Sequence, residues 1–120
     1  MADPLEALAA RAEREPFFLA WLLAAYARSE GLDDPGLADA LGCPVGELTM
    51  LRLCRAPRPE AGEFWEDVTR IAGRAGIDPR RLAEAVKRGR VVRRLQAAGP
   101  SAGGSLMAAR DREPEPPEAP

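Results

Sequence analysis

A chain of 120 residues, 46% apolar but only 5% aromatic, has room for one domain with tails, and its core must be built mostly from Leu, Ala, Val and Ile. Seventeen basic residues against nineteen acidic ones leave a net charge of −2, which gives no overall drive towards nucleic acid or an anionic membrane. There is no histidine, so the commonest general base and zinc ligand is missing, and the function classes that lean on it are disfavoured.

Asp3-Pro4-Leu5-Glu6 reads as a helix start, with Asp3 as N-cap, Pro4 at the first helical position and Glu6 three residues beyond the cap. Leu5, Leu8 and Ala12 line one weak face, and Pro16 ends the element, which is expected near 4–14 and loosely docked. A stronger helix follows over 17–30. Phe18, Trp21, Leu22, Ala25 and Tyr26 recur at helical spacing, Leu19 and Leu23 widen the apolar face, and Gly31 stops it. Asp33 or Asp34 caps the next helix, expected over 34–41, with Pro35 in its first turn and Leu37, Ala38 and Leu41 on one face.

Gly42 turns the chain into a third core helix over 44–54, with Leu48 and Leu51 three apart. Two short helices joined so briefly cross steeply and share one small core. That is the helix-turn-helix arrangement, whose second helix can enter a DNA major groove. The prolines and Gly62 make 55–62 a loop. Phe64, Val68, Ile71 and Ala72 then share the face of a helix over 64–75, with Trp65 flanking it and Gly76 closing it. Asp78-Pro79 opens the last helix, over 79–97. Its apolar side is Leu82, Ala85, Val86, Val92 and Leu95, with Gly89 a weak point inside it. Leu37, Leu41, Leu48, Leu51, Ile71 and Leu82 are expected to be buried together, with Trp21 or Leu22 above them.

From Gly99 the composition shifts to Gly, Pro, Ser and Glu, and residues 98–120 are expected to be a disordered Pro/Glu-rich tail. No apolar run approaches the roughly 18 residues of a spanning helix, and no secretory leader pattern opens the chain, so a cytoplasmic protein is expected. Cys43 and Cys54 are too few for a metal site. Placed on one helix they would lie roughly 16 Å apart along its axis, too far for a disulfide. They read as small buried apolar residues in a reducing compartment. No cofactor is expected.

The segment from Leu19 to Leu82 resembles the lambda-repressor-like, Cro/Xre-type helix-turn-helix family. The resemblance rests on Leu37-Ala38-Asp39-Ala40-Leu41-Gly42, on Leu48 and Leu51, on the basic proline-containing loop Arg55 to Pro59, and on Ile71-Ala72-Gly73-Arg74-Ala75-Gly76-Ile77-Asp78 with Leu82 beyond. It covers about half of the chain. It implies an all-α, compact five-helix domain over 17–97, with an N-terminal helical extension over 1–16 and the tail after it.

At the positions where that family contacts DNA, this chain departs. Asp34 stands where a polar residue meets the backbone, and the base-reading positions fall on Pro44, Val45, Gly46, Thr49 and Met50. None of these makes a bidentate pair with guanine or adenine. The candidate DNA-contacting residues are therefore Thr49, Arg52, Arg55 and Arg58, the arginines reaching phosphates without reading sequence. Seven basic residues of the last helix, against Glu84 alone, add to that side, and the acids Asp111, Glu113, Glu115 and Glu118 offset them. Val45, Met50 and Leu53 form instead a candidate surface for a protein partner.

Two readings follow. One is a small cytoplasmic DNA-binding transcriptional regulator, a homodimer with weak direct base readout. The other is a helix-turn-helix domain repurposed as a protein-interaction adaptor or accessory subunit. No nucleophile–base pair, phosphate-cradling loop or metal cluster points to an enzyme, and no small-molecule substrate or membrane partner is indicated. A continuous positive face over Arg52, Arg55 and Arg58 would favour DNA. An apolar face around Val45, Met50 and Leu53 would favour protein.

Overall fold

The computed structural model describes the backbone of residues 4–109 and the side chains of residues 4–98. Six α-helices follow one another there: α1 (Pro4–Ala12), α2 (Leu19–Glu30), α3 (Asp34–Leu41), α4 (Leu48–Arg52), α5 (Ala61–Ala75) and α6 (Pro79–Ala109). Among the described residues there is no strand. An isolated antiparallel bridge joins Phe18 to Arg55, with Ala56 N–H donating to the Phe17 carbonyl at 2.8 Å and Leu19 N–H to the Cys54 carbonyl at 2.8 Å. That bridge is why α2 starts at Leu19 and not near 17: Phe17 and Phe18 are spent pairing with the loop. No helix among the described residues is long and apolar enough to cross a membrane.

The local signals act where the sequence places them. The Asp33 side chain accepts from Gly36 N–H at 2.9 Å and caps α3, while Asp78 accepts from Arg80 N–H at 2.9 Å at the start of α6. The expected cap Asp3 lies outside the described residues. Gly31, Gly42 and Gly76 close their helices at φ of 68°, 77° and 71°. At Gly42 this conformation lets the amides of residues 42 and 43 return to the Ala38 carbonyl at 2.8 and 2.9 Å, so α3 ends in one residue and the chain turns at once.

The chain divides into two compact units, Met1–Arg90 and Val91–Pro120. In the first, Leu37, Leu41, Leu48, Leu51, Ile71 and Leu82 are buried in one cluster with Leu19, Leu22, Leu23, Val68 and Val86, as expected; Trp21 packs half-buried at its edge. In the second, Arg93 donates to the Gln96 side chain at 3.0 Å, and Val91 and Leu95 are exposed.

Several expectations need correction. The apolar face of α1 is small: Ala9 and Ala12 are buried, whereas Leu5 and Leu8 are about half exposed. Ala9 and Ala12 bring the α1 backbone close to α2 and α4, and the larger leucines are turned outward. The helix expected over 44–54 is broken into a 3-10 turn, Val45–Glu47, and the five residues of α4. Val45 and Gly46 are weak helix formers at its start, and Leu53 N–H shares the Thr49 and Met50 carbonyls at its end, which tightens the last turn. Helix α5 begins at Ala61 and not at Phe64, because Phe64 N–H already reaches the Glu60 carbonyl at 2.7 Å.

Helix α6 continues past the expected end near Ala97 to Ala109, through part of the segment expected to be disordered. Extension of an existing helix needs no new nucleus, but Gly99, Pro100, Gly103 and Gly104 do not favour it, and nothing in the described structure accounts for their inclusion. The remainder of the expected tail, with its acids, lies outside the described residues. Leu95, expected on the apolar side of α6, is exposed, and Val92 is only half-buried.

Candidate interaction surface around α4

Helix α1 packs against α4, and between them lies a groove. Its apolar surface comes from Leu5, Ala9, Val45, Leu48 and Met50, and Thr49 faces into it half-buried. Glu6, Glu13, Asp34 and Arg52 are its charged lining. The 3-10 turn and α4 thus present to the outside a short apolar wall with carboxylates around it. Val45 and Met50 are about half exposed. Leu53, expected to join them, is instead half-buried in a separate concavity with Leu8, Ala12 and Phe18, so the apolar surface is split around α1.

The three candidate phosphate contacts each meet a local partner. Arg52 donates to Asp34 at 2.8 Å and 3.5 Å, joining α4 to the first turn of α3. The guanidinium holds the Asp34 carboxyl below the usual carboxylate range, against a smaller opposing effect of burial. Arg55 lies over the Phe17 ring, 5.5 Å from its centre. Arg58 is bound to Asp67 of α5 three ways. Its Nε and Nη2 donate at 2.9 and 3.0 Å, and its backbone N–H donates at 2.9 Å. Arg70 adds a contact to the same carboxylate at 3.2 Å. These donors, Arg58 first, drive the Asp67 pKa far below the ordinary carboxylate value.

Arg55 and Arg58 open on a second concavity, of about 420 Å³, together with Arg70 and Arg74 of α5 and with Cys54. Arg52 is not part of it. Arg52 on one side and Arg55 and Arg58 on the other thus belong to two surfaces of different chemistry. Cys43 and Cys54 are free and half-buried, not fully buried as expected. Burial raises both thiols above their ordinary pKa; Glu47 adds to the effect at Cys43 and Arg74 opposes it at Cys54.

Arg81, Lys87, Arg88 and Arg90 of α6 are also engaged. Arg88 pairs with Glu30 at 3.0 Å and Glu84 at 2.9 Å, Arg81 donates to the Asp39 carbonyl at 3.4 Å, and Arg90 donates to the Pro57 carbonyl. Lys87 and Arg90 also lie 5.5 and 5.7 Å from the centre of the Phe64 ring. They fasten α6 to the core and do not form one bare positive stripe.

Asp67, Arg70 and Arg74 were not singled out from the sequence, although a signal was present. Phe64, Asp67, Val68 and Ile71 fall at i, i+3, i+4 and i+7, so a carboxylate sits on the apolar face of α5, where it needs a cationic partner. Among the described residues no group of His, Cys, Asp or Glu is arranged to hold a metal ion. Comparison of the chain with protein-family models, with curated proteins and with solved structures gives no match.

Proposed function

We infer that the chain is a small helix-turn-helix-derived protein-interaction module, an adaptor or accessory subunit, and not a sequence-reading DNA regulator. The order of α3, the Gly42 turn and α4 supports the lambda-repressor-like fold. The observation that carries the functional reading is the groove. Where a reading helix would present donors to base edges, residues 45–52 present Val45, Thr49 and Met50 beside α1, with Glu6, Glu13 and Asp34 around them and Arg52 already bound to Asp34.

A phosphate backbone approaching this face meets carboxylates and apolar carbon. An amphipathic helix with an apolar stripe and Lys or Arg flanks matches both features. The partner is therefore a protein segment of that character, seated between α1 and α4.

The test is a pair of titrations followed by amide NMR. A helical peptide with a Leu stripe and Lys flanks is expected to shift the signals of Leu5, Val45, Thr49 and Met50 saturably, and a Glu-flanked version of the same peptide is not. Met50→Glu is expected to abolish the shifts without unfolding the chain, since Met50 is 56% exposed. Random duplex DNA that moves these same signals at moderate salt, where the Lys-flanked peptide fails, would restore the DNA-binding reading.

A further inference from the structure

We propose that the arginine-lined concavity formed by Arg55, Arg58, Arg70 and Arg74 is a binding site for a phosphate monoester. Four arginines line this concavity, and two of them, Arg58 and Arg70, pair with one buried carboxylate, Asp67, which is 7% exposed. Asp67 orders the site. By holding Nε and Nη2 of Arg58 it fixes that guanidinium plane in advance, and a single contact to Nη2 of Arg70 restrains a second, so less rotational freedom is left to lose when an anion arrives. The same contacts leave further N–H donors on each guanidinium, which carries five. Glu66 approaches Arg58 at 3.8 Å from the exposed rim, and Glu63 also acts on that guanidinium. Together these acids reduce the positive excess without cancelling it.

The rest of the lining fits the same ligand. The Cys54 thiol donates to the Met50 carbonyl and stays protonated near neutral pH, so it adds no negative charge. Ala56 and Ile71 supply an apolar wall for whatever carries the phosphate. Forked guanidinium donors match the oxygens of a phosphate better than a point charge would. A volume of about 420 Å³ suits a small phosphorylated molecule or a phosphorylated side chain. A duplex backbone is a broad convex surface of monoanionic diesters, and it would be met by protruding arginines and not by a concavity. None of these residues lines the groove between α1 and α4. The site therefore stands or falls independently of the partner proposed there.

The test is an NMR titration of the full chain with inorganic phosphate at neutral pH, with chloride at matched ionic strength as control. Saturable shifts are expected at Cys54, Ala56, Asp67 and Arg74 and at the arginine Nε signals. Arg74→Ala is expected to weaken binding about tenfold, the loss of one charge-assisted contact. Arg55→Ala is a second variant, placed in the loop, should Arg74→Ala perturb α5. Phenyl phosphate and a phosphoserine peptide then separate the two sources of the group, the tighter of them naming it. Met50→Glu should leave phosphate binding unchanged. Shifts that never saturate, that chloride reproduces, or that survive both arginine variants overturn the proposal. So does a site that responds to duplex DNA and not to phosphate.

Discussion

Gly89 offers the sharpest test of the packing, because two physical effects there have opposite signs. In an ordinary helix interior, Gly→Ala gains about 0.5–1 kcal/mol, since alanine loses less backbone freedom on folding. Gly89 is buried, and a Cβ built on it would overlap the Leu22 carbonyl oxygen and fall 3.0 Å from the carbonyl carbon and 3.2 Å from the Cα. These are backbone atoms of α2 and cannot rotate aside, so α2 and α6 must move apart. Overpacking of this kind costs about 1–3 kcal/mol, and a backbone obstacle puts it at the upper end. Offset against the propensity gain, Gly89→Ala is expected to lose about 2 kcal/mol. That is a fall in Tm of about 8–16 °C for a domain of this size.

Gly73 of α5 is the internal control. Nothing lies within 4 Å of a Cβ built there, so Gly73→Ala should gain about 0.5–1 kcal/mol. Urea unfolding followed by far-UV dichroism and by Trp21 and Trp65 fluorescence measures both variants. If Gly89→Ala matches Gly73→Ala in sign, the close approach of α2 and α6 is refuted.

Leu48, 1% exposed in the central cluster, should cost about 2–5 kcal/mol when cut to alanine, and a loss under about 1 kcal/mol in urea unfolding would place it outside the core. Asp67→Asn should cost about 1–3 kcal/mol at neutral pH, because the Arg58 contacts lose their charge while one amide oxygen still accepts. The pH dependence follows from the depressed pKa of Asp67. The contribution of a carboxyl whose folded pKa lies below its unfolded value of about 3.9 is fully present above that value and is lost progressively as pH falls below it towards the folded pKa. Wild-type stability should therefore decline from about pH 5 to pH 2.5 more steeply than that of Asp67→Asn, and parallel curves would show that Asp67 is not paired in solution.

Caps, stops and apolar spacing were legible because they are local. Asp33, Asp78, Gly31, Gly42 and Gly76 act within a few residues of themselves, and five leucines and one isoleucine at helical spacing found the same core. What the sequence concealed depends on distant approach. Leu5 and Leu8 fit the period of α1 as well as Ala9 and Ala12 do. Only the closeness of α4 selects the small residues for the inside. Gly89 read as a weak point for the same reason: propensity records what a glycine costs its own helix, not what it permits a neighbour. The candidate arginines were found as residue types, but their partners lie 18 positions away for Arg52 and 9 for Arg58. No helical or strand period connects them.

Pairing alone does not disqualify an arginine from touching phosphate, since an exposed ion pair is worth only about 0–1 kcal/mol and exchanges readily. The difference lies in what remains after the exchange. If Arg52 turned to a phosphate, Asp34 would stay within a few ångströms of it, and two unit charges about 4 Å apart repel by about 1 kcal/mol in water and about 4 kcal/mol near a protein surface. The new attraction and the new repulsion then largely cancel. At Asp67 the balance differs, because two arginines share one carboxylate that is nearly buried, with Arg55 and Arg74 beside them, so an incoming anion faces more cations than acids. Two charged surfaces thus invite opposite partners. The one around α4 suits an apolar segment with basic flanks, and the one bounded by the 55–58 loop and the last turns of α5 suits a compact anion.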